Sequence, residues 1–267
     1  MSISKLINSI KYILPIKQAV SYKGNYQNFD AAKKSVALKH GGGYDADTIF
    51  KKVSESTLAV LRGEAAFERD SFLFHKKEVN YNLMMYLYKY HIQDGKLDVL
   101  DFGGALGSTY LQHRKELEAI GANWTVTEQE HFVDFGKKNI TAGNLRFASS
   151  EELEPMWGKF NVLLFSGVLQ YIEDAESVIR DTCSRKIRRI IIERTPVSDG
   201  TWCWVETVHE PIYEAVYPCR VFDDDSFVRL FTDNHYELVD AWPSLVDGDI
   251  YAYGKTVRFK SFVFELK

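Results

Sequence analysis

The 267-residue chain predicts an α/β fold, a largely parallel sheet with helices on both faces. Three observations predict it. An apolar run over residues 97–100 ends in Asp101 and passes through Gly103-Gly104-Ala105-Leu106-Gly107 straight into a helical pattern. From there to residue 193, short apolar runs alternate with amphipathic stretches, as strands joined by helical crossovers do. Beyond a long insertion come a helix and two late strands, which suits seven strands closed by a terminal hairpin.

In chain order, residues 1–20 carry Lys5, Lys11 and Lys17 among Ile3, Leu6, Ile7, Ile10, Ile13 and Leu14. This spacing fits a helix packed on its own domain or a partner, with a basic tether at a membrane surface as the other reading. No small-residue cleavage site follows, so a secretory signal is not expected. Residues 21–46 read as irregular and polar, ending in the hinge or lid sequence His40-Gly41-Gly42-Gly43-Tyr44. Asp47 caps a helix in which Ile49, Phe50, Val53, Thr57, Leu58 and Leu61 recur at helical spacing. An aromatic and charged segment over 65–75 leads to a second helix, about 78–91. Residues 1–95 thus form a helical extension or lid, and 96–267 the main domain.

In the main domain a helix over 108–120 stops at Gly121, as a C-cap would. A strand over 124–127 ends at Glu128, and a helix runs from about 131 to 139. The third strand, 145–147, precedes Ser149-Ser150; the fourth, 160–165, precedes Ser166-Gly167-Val168-Leu169-Gln170-Tyr171. Glu173-Asp174 cap a helix to about 185, before a fifth strand over 187–193. The insertion 193–222 follows, then a helix over 224–232 and strands over 236–241 and 257–266.

Composition narrows the class. Net charge is −4, which argues against a general nucleic-acid binder. The basic cluster Arg185-Lys186-Arg188-Arg189 reads as a solvated helix end. Cys183, Cys203 and Cys219 are an odd set without C-x-x-C spacing, which fits a reducing cytoplasm and no zinc site. No apolar run approaches the roughly 20 residues that span a bilayer.

The acid before the glycine turn decides the ligand. A dinucleotide fingerprint places a diphosphate against G-x-G-x-x-G. Here Asp101 stands two residues before Gly103, and its charge would repel a diphosphate. It suits a ligand with an amino group and a sulfonium, such as S-adenosyl-L-methionine.

Asp101-x-Gly103-Gly104-x-x-Gly107, Glu128-Gln129 and residues 166–171 resemble class I S-adenosylmethionine-dependent methyltransferases. Several blocks more narrowly resemble a methyltransferase family associated with bacterial surface-polysaccharide (capsule, O-antigen) clusters. They are Gly43-Tyr44-Asp45, Phe67-Glu68-Arg69-Asp70, Leu100-Asp101-Phe102-Gly103-Gly104, Leu169-Gln170-Tyr171, Glu193-Arg194-Thr195-Pro196 and Tyr217-Pro218. One departure is Ala105, where the usual D-x-G-x-G-x-G pattern has its middle glycine. The resemblance implies a Rossmann-like seven-stranded class I methyltransferase sheet, with S-adenosyl-L-methionine as cofactor and S-adenosyl-L-homocysteine as product.

It also implies roles. Asp101, with the Gly103, Gly104 and Gly107 turn, would face the amino-acid end of the cofactor. Glu128 would take the ribose hydroxyls, Gln129 the adenine, and Ser149 or Ser150 its edge, with the helix-cap reading of the two serines equally open. Ser166 and Gln170 would stand where cofactor and acceptor meet. Candidate bases are His209, His75, Glu193, Tyr213 and Tyr217. Arg69, Arg194 and Arg220, with Tyr171, would grip the acceptor; ordinary ion pairs are the alternative for each arginine. His209-Glu210 lacks the further ligands a metal site needs. The expected activity is O-methylation of a sugar, sugar-nucleotide or phosphorylated (phosphoryl or phosphoramidate) acceptor in capsule or lipopolysaccharide biosynthesis. Two rivals stay open: a non-catalytic scaffold or partner subunit with the same fold, and an NAD(P)-dependent oxidoreductase, which the glycine order opposes. Monomer and homodimer are both compatible with the sequence.

Overall fold

The computed structural model describes residues 20–40, 47–209, 212, 214–244 and 246–267. The amphipathic start of the chain, the Gly41–Gly43 run with the Gly43-Tyr44-Asp45 block, Glu210 and Tyr213 lie outside the described residues. The strands are β1 (Val20–Tyr26), β2 (Phe67–Arg69), β3 (Phe72–Phe74), β4 (Asp98–Phe102), β5 (Asn123–Thr127), β6 (Leu145–Phe147) and β7 (Val162–Ser166). They continue with β8 (Arg189–Ser198), β9 (Trp202–Val208), β10 (Ala215–Asp223), β11 (Tyr236–Pro243), β12 (Asp249–Ala252) and β13 (Lys255–Leu266).

Seven of them form the expected sheet, in the spatial order β6-β5-β4-β7-β8-β13-β11. The first five are parallel. The last strand, β13, inserts antiparallel between β8 and β11. This is the class I methyltransferase arrangement, a Rossmann-like α/β sheet with a reversed terminal strand.

Alternation along each strand splits the core between two faces. Val162, Leu164 and Ile191 pack toward helices Tyr81–Asp94 and Ser108–Gln112. Leu163, Phe165, Ile190 and Ile192 pack toward helices Ala175–Ser184 and Asp224–Thr232, through Ile179, Phe227 and Phe231. Continuous apolar runs of this kind belong to strands covered on both sides.

Three elements differ from the sequence reading. The described part of the segment 21–46, residues 21–40, is not irregular: β1 pairs antiparallel with β9, and helix Phe29–His40 lays Phe29, Ala32 and Val36 against Cys203 and Val205. β1 is short and half-exposed at the sheet edge, so its residues lack the strong apolar alternation that marks an inner strand. The segment 65–75 is a hairpin of β2 and β3, with Phe67 and Phe74 stacked at 4.6 Å between ring centroids. The helix expected over 108–120 breaks at His113, whose backbone leaves helical geometry between Ser108–Gln112 and Arg114–Ala119. The buried His113 ring explains the break, because Nδ1 donates to the Thr109 carbonyl while Nε2 accepts the Asn80 N–H.

The insertion after the fifth strand is itself sheet. β8 runs past the end of β7, pairing with it over 189–193 and then with β10 at Val197 and Ser198. The changeover falls at Arg194, which has a left-handed φ of 57°. β10, β9 and β1 thus extend the sheet beyond the carboxyl edge of β7.

Candidate active site

The carboxyl ends of β4, β5 and β7 come level with Glu193 of β8, since Phe102 pairs with Thr127 and Phe165 while Ser166 pairs with Glu193. Everything after those positions projects from one edge. That edge therefore collects Asp101, the glycine turn, Glu128, Gln129, Ser166, Gln170, Glu193 and Arg194. Ligands of open α/β sheets bind at such an edge.

Asp101 is fully buried at the end of β4. The Trp124 indole N–H donates to its Oδ2 at 3.0 Å, and Oδ1 has no partner among the described residues. Burial, reinforced by the Glu128 and Glu193 charges, pushes its carboxyl up to about 7. The turn wraps closely over it: a Cβ on Gly104 would lie 2.5 Å from the Asp101 carboxylate. Gly103, at φ 70°, leaves no room for a side chain beside Val168 and donates its N–H to the Thr127 carbonyl. Gly107 packs farther in, against Leu145. Ala105, where the usual pattern has a glycine, takes a left-handed backbone at φ 48°. Its N–H, with that of Gln129 at 2.9 Å, donates to the Glu128 carboxylate, whose pKa burial raises nevertheless. Glu128 thus ties the end of the second strand to the turn of the first.

On the other flank, Glu193 is buried, and burial lifts its carboxyl to about 7. Asn80 donates to it at 2.7 Å while capping helix Tyr81–Asp94 through Leu83 N–H. Asn80 was absent from the sequence-derived site, although an Asn before an apolar periodic run is an N-cap signal. Gln170 is buried, donates to the Arg194 carbonyl at 3.4 Å, and leaves Oε1 without a partner among the described residues. Ser166 and the adjoining Gly167 are half-buried at the edge, Gly167 N–H donating to the Glu193 carbonyl.

The β2–β3 hairpin bridges the two flanks. Glu68 accepts from the Ser108 hydroxyl at the start of the post-glycine helix and from Ser71 N–H, and burial pushes it to about 7. Asp70 pairs at 2.9 Å with Arg194, which also pairs with Asp247 at 3.0 Å. Arg69 lies over the Phe67 and Phe74 rings, 5.2 Å from each centroid, and reaches Glu78 at 3.4 Å.

Beyond Gln170, Tyr171 donates to Glu206 Oε2 at 2.9 Å, and Tyr217 faces Glu206 Oε1 at 3.5 Å. The two tyrosine rings meet edge to face at 5.2 Å. Glu206, on β9, is another site residue the sequence did not single out. It lies in an aromatic run with no motif to mark it.

Other candidates lie apart from this edge. His75 is exposed, its Nδ1 paired with the Glu64 carbonyl, and His209 is exposed just after β9. Arg220 points to the opposite face of β10 from Tyr217, donating to the Glu173 carbonyl near Phe29. Ser149 follows β6, but its hydroxyl is committed to a capping box with Glu152, and Ser150 is exposed.

No family model matches the chain, and no curated protein matches it. Solved structures do resemble it. The N-terminal domain of EvdMO1, crystallised in the presence of S-adenosylhomocysteine and D-fucose, is 13% identical over 84% of this chain and 98% of its own, at a TM-score of 0.48. A Burkholderia thailandensis 1,6-didemethyltoxoflavin-N1-methyltransferase is 15% identical over 85% and 93%, at 0.42. A SAM-dependent methyltransferase from Methanosarcina mazei is 11% identical over 64% and 92%, at 0.44.

Proposed function

We propose that the chain is an S-adenosylmethionine-dependent methyltransferase, acting on the hydroxyl of a sugar or related small molecule. One observation carries this reading: the buried Asp101 carboxylate, with an oxygen that no group among the described residues satisfies, lies beneath a glycine turn and beside a second acid, Glu128. An orphaned buried carboxylate oxygen is costly unless a donor arrives to pair with it. An ammonium group is such a donor, and a diphosphate is not.

In this reading Asp101 binds the amino group of the cofactor, with the Gly103-Gly104 backbone allowing close approach. Glu128, already fixed by two N–H groups, turns its remaining acceptor capacity to the ribose hydroxyls. Gln129 borders the adenine. Bound there, the cofactor supplies an electrophilic methyl on sulfur. The residues of the chain contribute alignment, water exclusion and an acidic surrounding that favours the cation. Gln170 and Ser166 stand between this half-site and the acceptor side. The capsule or lipopolysaccharide setting of the acceptor is carried by the sequence resemblance.

Ultraviolet cross-linking of methyl-tritiated S-adenosylmethionine to the full chain tests the reading. Labelling that S-adenosylhomocysteine suppresses and NAD does not is the expected result. Absence of suppressible labelling contradicts it.

A further inference from the structure

The carboxyl edge holds a second buried carboxylate system, centred on Glu206, that lies outside the cofactor half-site. Its place is distinctive. β9 carries Glu206 directly opposite Tyr217 of β10, on the face that also bears Trp204 and Cys219. The turn after β7 brings Tyr171 to the same carboxylate. Glu206 itself is 5% exposed, whereas Tyr171 is half-exposed at the junction with Gln170. The carboxylate is thus enclosed, and a phenol stands between it and the open edge.

The surroundings select the ligand by charge and shape. Groups acting on Glu206 come from every neighbouring element: Tyr171 after β7, Arg194 on β8, Tyr217 and Cys219 on β10, Tyr22 on β1, Asp70 in the hairpin and Asp247 after β11. Among these the cation is Arg194, and Asp70 and Asp247 already pair with it. A phosphorylated acceptor brought here would meet Glu193, Glu206, Asp70 and Asp247 against two guanidiniums, Arg194, engaged by Asp70 and Asp247, and Arg69, which acts on Glu193 and Asp70 and pairs with Glu78. Like charges in a poorly solvated cleft repel strongly. Tyr22, half-buried and stacked at 4.2 Å on the buried Trp204, and Tyr171, edge to face with the buried Tyr217, offer apolar ring surface instead. It suits the C–H surface of an uncharged ring compound.

Resting on the methyltransferase reading above, we propose that Tyr171 and Glu206 are the proton relay of the reaction, and that the acceptor is an uncharged hydroxyl compound, not a phosphorylated one. Tyr171 is the catalytic residue that touches the acceptor; Glu206 is the positioning residue behind it. In the step, the acceptor oxygen bonds to the methyl carbon, and the carbon–sulfur bond breaks with its electron pair left on sulfur. The acceptor's proton moves to the Tyr171 oxygen as the Tyr171 proton moves to Glu206 Oε2. Solvent then takes the proton from Glu206. Burial supports this direction, since it lifts the Glu206 carboxyl to about 7 and makes it a stronger base than an exposed glutamate.

The test uses the full chain, with Tyr171→Phe and Glu206→Gln, which keep ring and carbonyl shape. Calorimetry with S-adenosylhomocysteine comes first, and equal affinity in all three proteins is expected. If the wild type fails to bind, the methyltransferase reading itself fails. If only the variants fail, the pair belongs to the cofactor site and the relay is wrong. Methyl-tritiated S-adenosylmethionine is then incubated with a small-molecule extract of the source cells, and products are separated by anion exchange with and without phosphatase. Label in the uncharged fraction, unmoved by phosphatase, is expected. Label in a phosphatase-sensitive anionic fraction overturns the acceptor class, and no label in any fraction, with binding intact, overturns the relay. With the labelled fraction as acceptor, Tyr171→Phe should lower kcat about 10²-fold or more. Glu206→Gln should remove the rise of kcat through pH 7. Retention of that rise in Glu206→Gln, or a change in KM alone, would assign the pair a structural role and defeat the proposal.

Discussion

At Asp101, burial and function pull in opposite directions. The folded apo protein keeps this carboxyl protonated up to about pH 7, because its charge has little solvation and lies near Glu128 and Glu193. A cationic ligand needs the ionised form. Asp101→Asn should therefore weaken S-adenosylhomocysteine binding at pH 8 by at least about tenfold, the scale of one charged hydrogen bond. The same variant should melt higher than the wild type at pH 8 without ligand, and differential scanning fluorimetry reads both effects together. Ala105 is the other informative position. Its left-handed backbone costs an L-residue roughly 1 kcal/mol, so Ala105→Gly should stabilise the chain by about that amount and preserve binding. Gly104→Ala drives a methyl group into the Asp101 carboxylate and should abolish binding, as calorimetry would show. The departure from the usual glycine pattern is therefore local, because the alanine adopts a left-handed conformation that favours glycine.

Among the elements, the hairpin of β2 and β3 links the glycine-turn helix, through Glu68 and Ser108, to the fifth strand, through Asp70 and Arg194. Arg194→Met would strand Asp247, whose side chain is 15% exposed, without its guanidinium. A loss on the order of 3 kcal/mol in urea unfolding is expected. An unchanged denaturation midpoint would mean that the network contributes little. The main-domain elements were legible because Val162 to Phe165 and Ile190 to Ile192 are buried on both faces and read as unbroken apolar runs, and Leu97 to Leu100 is broken by Asp98 alone. β1 was not, since an edge strand with one partner shows only a weak pattern. The His113 break was hidden too, because it depends on Asn80, far away in sequence. In the same way, Asp101 and Glu128 could be read from their places at strand ends, whereas Asn80 and Glu206 gain their surroundings only from tertiary packing. Arg69 and Arg194 were legible as charges, but not the carboxylates that occupy them.

Over the whole molecule, the buried carboxyls set the pH response. Glu68, Asp101, Glu193 and Glu206 have folded pKa values raised to about 7, above their unfolded values near 4. Between those limits the folded chain holds protons that the unfolded chain has released, so stability falls as pH rises from about 4.5 to 7. Asp94, Glu116 and Glu265 have lowered values, and their contribution is lost as pH falls below about 4. The apo protein should accordingly melt highest near about pH 5 and lower at pH 8. Thermal melts across that range check it; a melting temperature that climbs steadily to pH 8 would contradict the burial of these groups. Saturating S-adenosylhomocysteine should raise the melting temperature more at pH 8 than at pH 5, because the ionised Asp101 is the form that binds.

The central claim is that the acid-lined turn binds a cationic nucleoside cofactor, and a calorimetric titration at pH 8 tests it most directly. The wild-type chain should bind S-adenosylhomocysteine with a dissociation constant in the micromolar range, about −8 kcal/mol, and show no heat with NAD. Saturable binding of NAD, or a folded protein that gives no heat with S-adenosylhomocysteine, would contradict the account.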